Sequence, residues 1–451
     1  MYKPKIGFMT FGHPYFDPLA DKNGLIGSVM SAWGDLPFTL IPASEIPVDV
    51  AGTVRAAEFF GDQKVDGIII NAGAYGFENL ISVFALNTSL PLMVWCPHHS
   101  PQALIPVSAF FSIMSNLNNL NRKVFHVLGN MDDKEVQQNL IAFSRASRAS
   151  VMLRKATLGM VGAVCPGMLD TGFSEYHVRR FVPGLLSLDT TDIIDAMDAA
   201  TDAEVKEAME KIRETFANVS AEDQHLLTAA RSYVAMKNIA QDRNLDAMTV
   251  RCWPELSQKG FSGALGVSLM CDEGTICMME RDVPATATAL ALQYLTGQPS
   301  HIGEIDHVDA DADEAFYVND NSMIPSLAAD KNENEVAGGD LFIMLTSGRT
   351  DGILLKGTLK PGVVTIAKLK GTPGGENMLS MGIVTGKVMP LAPGADNLCN
   401  ARVKYDLPVN DVLSSWAKNG FEHHMVINHN MVVMELSMLC EIMGISPVVI
   451  Q

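Results

Sequence analysis

The chain reads as an α/β protein: two Rossmann-like α/β domains followed by a β-rich, antiparallel barrel-like C-terminal domain. Three observations point there. The 451 residues exceed one ordinary domain of roughly 100 to 200, so two or three domains are expected. Short apolar runs alternate with helical stretches through the first half, the rhythm of βαβ units and a parallel sheet. Beyond residue 335 that rhythm gives way to alternating β-branched and apolar runs broken by glycine, the pattern of antiparallel strands.

In the first domain, 1–154, the runs Ile6 to Thr10, Phe38 to Pro42, Gly67 to Asn71, Leu90 to Trp95 and Val124 to Leu128 recur about every 25 to 30 residues, a strand plus its crossover helix. Turns carrying Gly12, His13, Pro14, Gly73 and Gly76 follow strand ends, where open α/β sheets place ligand-contacting loops. A helix from about Lys134 to Lys155 leads into Thr157-Leu-Gly-Met-Val-Gly, where the rhythm restarts and the second domain, 155–300, begins. Ser187 to Asp192 ends a strand on good N-cap residues. Ala203 to Ala240 is a charged helix with apolar residues at three-to-four spacing, its charge run a solvated face. In the third domain, 301–451, Asp340 to Thr346, Gly352 to Leu359, Gly362 to Leu369 and Met381 to Val388 are predicted strands, with Leu359-Lys-Pro-Gly362 a turn. A closing helix, Met431 to Met443, is capped by Gly444 before a terminal strand, Pro447 to Ile450.

Composition excludes several classes. Hydrophobic residues at 47% and charged residues at 19% describe a well-buried globular chain rather than a disordered one. A net charge of −18 argues against nucleic-acid and anionic-membrane partners, because both favour Lys/Arg patches. Seven cysteines, an odd number without a CxxC pair, indicate neither a disulfide framework nor a structural zinc site and fit a reducing cytoplasm. The N-terminus enters a strand without a signal-peptide h-region, and no stretch reaches the roughly 18 apolar residues of a membrane span. A soluble, cytoplasmic protein is the expectation.

The chemistry concentrates in two places. Gly274-Thr-Ile-Cys-Met-Met-Glu280-Arg-Asp282-Val-Pro284 reads as a buried strand ending in two acids, with Pro284 in the first turn of a helix that runs to Thr296-Gly297. A second strand, His301-Ile-Gly-Glu304-Ile-Asp306-His-Val, puts Glu304 and Asp306 on one face by its period of two, so that two successive strands deliver carboxylates to one sheet edge. Acids in apolar strands are costly to bury without a cation, and a divalent metal is a natural partner for Glu280 and Glu304. Solvated carboxylates, or partners of Arg281 and His307, are the alternative. Near the C-terminus, Glu422-His423-His424-Met-Val-Ile-Asn-His429 can supply a metal ligand; in an extended segment His423 and His424 face opposite ways, so one of them at most reaches the acids.

At these residues the chain resembles the L-fucose isomerase branch of the aldose-ketose isomerase superfamily, which also holds L-arabinose isomerase. Fucose isomerases carry Glu-x-Asp at a strand end, a helix closing in Leu-Thr-Gly, and a metal-binding Asp 24 residues after the Glu; here Glu280-Arg-Asp282, Leu295-Thr-Gly297 and Glu304 reproduce that spacing, with Glu in place of Asp as in arabinose isomerases. The family's C-terminal metal histidine stands 21 residues before an Ile that follows the closing helix, and counting back from Ile445 gives His424. Asn319-Asp-Asn-Ser322 stands where arabinose isomerases have a further histidine and leans toward the fucose pattern. Arg251-Cys-Trp-Pro-Glu255 looks like a pocket-approach segment of shorter fucose-isomerase-like proteins, with Trp253 able to stack on a sugar.

The resemblance implies metal-assisted interconversion of an aldose and a ketose of a monosaccharide, through a cis-enediol. It assigns metal binding to Glu280, Glu304 and His424, and proton transfer to Glu280 and Glu304. Hard oxygen donors and one imidazole suit Mn²⁺ first and Mg²⁺ next. Asp306, Asp282 and His423 would orient ligands or substrate, and Asn319 would lie at the pocket. A homo-oligomer, hexamer or trimer, is implied, with the active site near a subunit interface that His13, Tyr15, Trp95, His98 and His99 could reach. A sugar-binding or regulatory protein of the same fold, without turnover, is the alternative. A nucleotide enzyme is disfavoured because no GxGxxG stands between a strand and a helix.

Overall fold

The computed structural model describes residues 3–12, 22–73, 78–98, 105–318, 322–330, 332, 334–340, 343–345, 348–371, 379–391 and 399–451. Two compact units emerge, Met1–Val151 with Met434–Ile442, and Met152–Val433 with Met443–Gln451.

In the first unit, β1 (Lys5–Met9), α1 (Lys22–Trp33), β2 (Thr39–Pro42), α2 (Val50–Asp62), β3 (Gly67–Asn71), α3 (Glu78–Leu86), β4 (Leu92–Cys96), α4 (Pro106–Asn119), β5 (Phe125–Leu128) and α5 (Lys134–Leu153) alternate strictly. The strands are parallel in the order β2-β1-β3-β4-β5. Helices cover both faces, so the strands are apolar runs rather than alternating ones: Phe8, Ile69 and Met93 enter one core, and Ile68, Ile70 and Val94 the other. All five predicted strands form within two residues of their expected ends.

The second unit opens with β6 (Thr157–Val161), α6 (Glu175–Val178), β7 (Gly184–Leu188), α7 (Thr190–Ala199) and α8 (Asp202–Thr215). Thr201 and Glu204 form a reciprocal capping box at the start of α8. The helix expected over 203–240 is interrupted there: Asn218–Val219 forms a short strand, β8, which pairs with Glu335 and Val336, and α9 (Asp223–Asp242) follows. Half of α9 is buried, including Leu226, Ala230, Tyr233 and Met236, so the solvated charge run belongs mainly to α8. β9 (Ala247–Val250), α10 (Glu255–Gln258), α11 (Ala264–Glu273), β10 (Ile276–Met279) and α12 (Val283–Thr296) complete a parallel sheet of order β10-β9-β6-β7. Both α11 and α12 are buried on nearly every side, which is why neither shows an amphipathic stripe.

The remaining elements are β11 (His301–Asp309), β12 (Glu314–Val318), β13 (Glu335–Gly338), β14 (Ile353–Lys356), β15 (Gly362–Gly371), β16 (Leu379–Met389), β17 (Cys399–Tyr405), α13 (Val409–Lys418), β18 (Met425–Asn428), α14 (Val433–Met443) and β19 (Ser446–Val449). Six strands run β15-β18-β11-β12-β17-β16, each antiparallel to the next, and β16 returns to pair with β15 along its length. The predicted barrel therefore closes, with β19 added parallel to β16. The strand expected over Asp340 to Thr346 does not form among the described residues. Gly339 turns the chain with φ 106°, and the Asp340 carboxylate accepts the Ile343 N–H at 3.1 Å, capping a helical turn instead. The parallel sheet and the barrel lie in one compact unit, so the boundary near 300 separates two sheets rather than two compact bodies.

Candidate active site

Glu280 follows β10 at the edge of the parallel sheet, whereas Glu304 lies on β11 of the barrel. The two carboxylates thus come from different sheets and not from one sheet edge. Between β10 and α12 the chain turns through two consecutive left-handed residues, Glu280 with φ 63° and Arg281 with φ 55°. An L-residue holds that conformation at a cost of roughly 1–2 kcal/mol, and such strain persists where the surroundings over-determine it. Here the surroundings are specific. The Trp253 indole N–H donates to Glu280 Oε1 at 3.1 Å, and His424 Nε2 lies 3.0 Å from Glu280 Oε2, which leaves the residue 4% exposed.

The barrel register delivers the other two members. β11 pairs antiparallel with β18 as His301↔Ile427, Ile302↔Val426 and Gly303↔Met425, so one further step sets Glu304 opposite His424. Their side chains meet, with His424 Nε2 at 3.3 Å from Glu304 Oε1. A bulge between Ile305 and His307 then breaks the two-residue alternation. Asp306 is consequently not on the inward face with Glu304: it is exposed, its carboxylate 2.7 Å from His307 Nδ1.

The chain bends at His423 instead of running extended, which overturns the opposite-faces expectation. The two imidazole rings lie 4.1 Å apart, and ligand atoms of Glu280, Glu304, His423 and His424 all fall within 4.8 Å of one another. His423 Nδ1 also pairs with Asp170. On the far side of His424, Nδ1 lies 2.8 Å from Asp282 Oδ2. Asp282 is fully buried, and its other oxygen caps α12 by accepting the Ala285 N–H at 2.8 Å. Pairing with Asp282 is Lys368 of β15, likewise fully buried, with its ammonium 3.8 Å from Glu422.

Three carboxylates, Glu280, Asp282 and Glu304, meet one imidazole, with Lys368 on Asp282 and Glu422 near the lysine, and these contacts set the titration. Burial alone would raise the Asp282 pKa, but Lys368 and His424 outweigh it and hold the carboxyl far below the usual range. The Glu304 carboxyl is lowered, chiefly by its hydrogen bond with His424. Burial raises that of Glu422. Burial would depress His424, yet Asp282, Glu280 and Glu304 raise it well above the ordinary imidazole value. A small cleft, partly open to solvent, adjoins this cluster. Glu304 and His424 line it together with Val267, Ile302, Ile324 and the hydroxyls of Ser300 and Ser322.

Of the other candidate residues, Trp253 joins the cluster through Glu280. Trp95 does not present a ligand surface: it is 0% exposed, sits edge-on against Trp33 at 4.8 Å, and donates its indole N–H to the Gly129 carbonyl, so it is core of the first unit. His98 is exposed. His13, Tyr15, His99 and Asn319 lie outside the described residues. Lys368 escaped sequence reasoning; the available signal was a lysine that shares the Val364 and Ile366 face of an apolar strand.

No family model matches the chain. Curated relatives include a sulfoquinovose isomerase of Alkalicoccus urumqiensis, 21% identical over 82% of this chain and 83% of the relative. Another is a sulfoquinovose isomerase of Priestia megaterium, 22% identical over 86% of each. Among solved structures, a periplasmic sugar-binding protein of an ABC transporter from Legionella pneumophila aligns at 14% identity over 66% of this chain and 97% of its own, with a TM-score of 0.16, too loose to define a shared fold.

Proposed function

We propose that the chain is a divalent-metal-dependent aldose-ketose isomerase acting on a monosaccharide through a cis-enediol. The observation that carries this is the convergence of Glu280, Glu304 and His424, from two sheets and a barrel turn, on one point beside a cleft. The relatives named sulfoquinovose isomerase support the isomerase class and place that sulfonated sugar first among substrates to test.

The donor set fits a divalent ion: a buried and a half-buried carboxylate gather beside imidazole, and oxygen donors with imidazole suit Mn²⁺ or Mg²⁺. Glu280, Glu304 and His424 would hold it, with His423 close enough to join. When bound, the ion would polarise the sugar carbonyl and acidify the C2 proton. Glu304 lines the cleft and is the carboxylate best placed to take a proton from a bound sugar. Glu280, fixed by Trp253 and His424, provides the second carboxylate, so that one removes the C2 proton while the other group handles the proton on oxygen and C1 is then reprotonated.

The test is an isomerase assay of the Mn²⁺-supplemented protein over a panel of aldoses headed by sulfoquinovose. Ketose formation from at least one member is expected. Sugar binding without turnover on any member would favour the non-catalytic reading.

A further inference from the structure

We infer that Lys368, acting through Asp282, is a positioning residue for His424, an inference that rests on the metal site proposed above. Asp282 Oδ1 is committed to the Ala285 N–H at the start of α12, which fixes one end of the carboxylate. The other oxygen, Oδ2, meets both His424 Nδ1 at 2.8 Å and the Lys368 ammonium. Lys368 and Asp282 are each 0% exposed, so the contact is shielded from bulk solvent.

The same ammonium lies 3.8 Å from Glu422 Oε2, a buried oxygen with no hydrogen-bond partner among the described residues. Lys368 thereby ties the strand β15, the cap of α12 and the turn 422–424 to one point. Its consequence is directional. With Nδ1 held on Asp282, the His424 ring presents Nε2 to Glu280 and Glu304 at 3.0 and 3.3 Å, the only ring nitrogen that can join them. A carboxylate behind a metal-binding imidazole is a general device for setting its orientation; what this chain adds is a buried cation that sets the carboxylate.

Mn²⁺ affinity, followed by the electron paramagnetic resonance of free Mn²⁺, and the visible spectrum of the Co²⁺-loaded protein test this in the full chain. Asp282→Asn and Lys368→Met are each expected to weaken Mn²⁺ binding about 10- to 100-fold and to alter the Co²⁺ spectrum. The double variant is expected to bind no more weakly than the worse single one, because both act through one imidazole. If Lys368→Met does not fold, the double variant, which removes both buried charges, is compared with Asp282→Asn instead. Variants with lowered melting temperature but unaltered Mn²⁺ affinity and Co²⁺ spectrum would show a purely structural ion pair and overturn the inference. Losses that multiply in the double variant would also overturn it, since Lys368 would then act separately. An unaltered chain that takes up no Mn²⁺ would remove the metal proposal and this inference together.

Discussion

Glu280 combines a strained backbone with two specific neighbours, Trp253 and His424, and the proposed proton-carrying role depends on its carboxylate rather than its shape. Glu280→Gln is expected to lower kcat by at least 10³-fold, on the order expected when a group acting in proton transfer is removed, with unfolding in urea little changed. Near-normal turnover would refute the role. Between the histidines, His424 is buried against three carboxylates whereas His423 is partly exposed and held by Asp170. His424→Ala should therefore lose more activity and more Mn²⁺ affinity than His423→Ala, and the reverse order would show that His423 is the principal ligand. A third histidine acts on stability. His301 is fully buried beside Asn400, and burial pushes its pKa down to about 4. The unfolded chain takes up that proton near pH 6.5 and the folded chain does not, so stability is lost as pH falls from about 6.5 to 4, by on the order of 3 kcal/mol. Urea unfolding across that window should show the slope, and His301→Gln should flatten it.

At the scale of elements, the strands of the first unit and the barrel pattern were legible because strand-length apolar runs and glycine-broken alternation are local properties. Glu280 and Glu304 were singled out by the 24-residue spacing of the resemblance, because the period of two by itself put Glu304 and Asp306 on one face. What could not be read was non-local. The bulge that exposes Asp306 arises from pairing with β12, the bend at His423 from the approach of β18 to β11, and the Lys368 contact from a strand far along the chain. Register is thus where the site can be tested as a structural object. A Cβ at Gly303 would lie 2.9 Å from the Val318 carbonyl oxygen, one residue before Glu304. Gly303→Ala is expected to destabilise the barrel by about 1–3 kcal/mol and to reduce turnover, because β11 must shift against β12. Gly27 on α1 is the control: nothing lies within 4 Å of its added Cβ, and Gly27→Ala should stabilise by up to about 1 kcal/mol with unchanged turnover. A stable, fully active Gly303→Ala protein would show that the register tolerates displacement at the site.

Over the whole molecule, the closed barrel supplies a rigid platform and the parallel sheet of the same unit supplies the strand end that completes the site. No helix among the described residues is long and apolar enough to cross a membrane. The segment that carries Asp170 also displays Leu169 at 89% and Tyr176 at 87% exposure, and the resemblance leads us to expect a homo-oligomer. Sedimentation should give a trimer or hexamer, and a monomer at micromolar concentration would contradict that expectation. The metal-dependent isomerase itself is tested most directly by stripping the protein with a chelator and restoring Mn²⁺ stepwise while following ketose formation. Activity should vanish on stripping and return in proportion to occupancy up to one ion per chain. Full activity in the stripped protein, or none at full occupancy with any sugar of the panel, would contradict it.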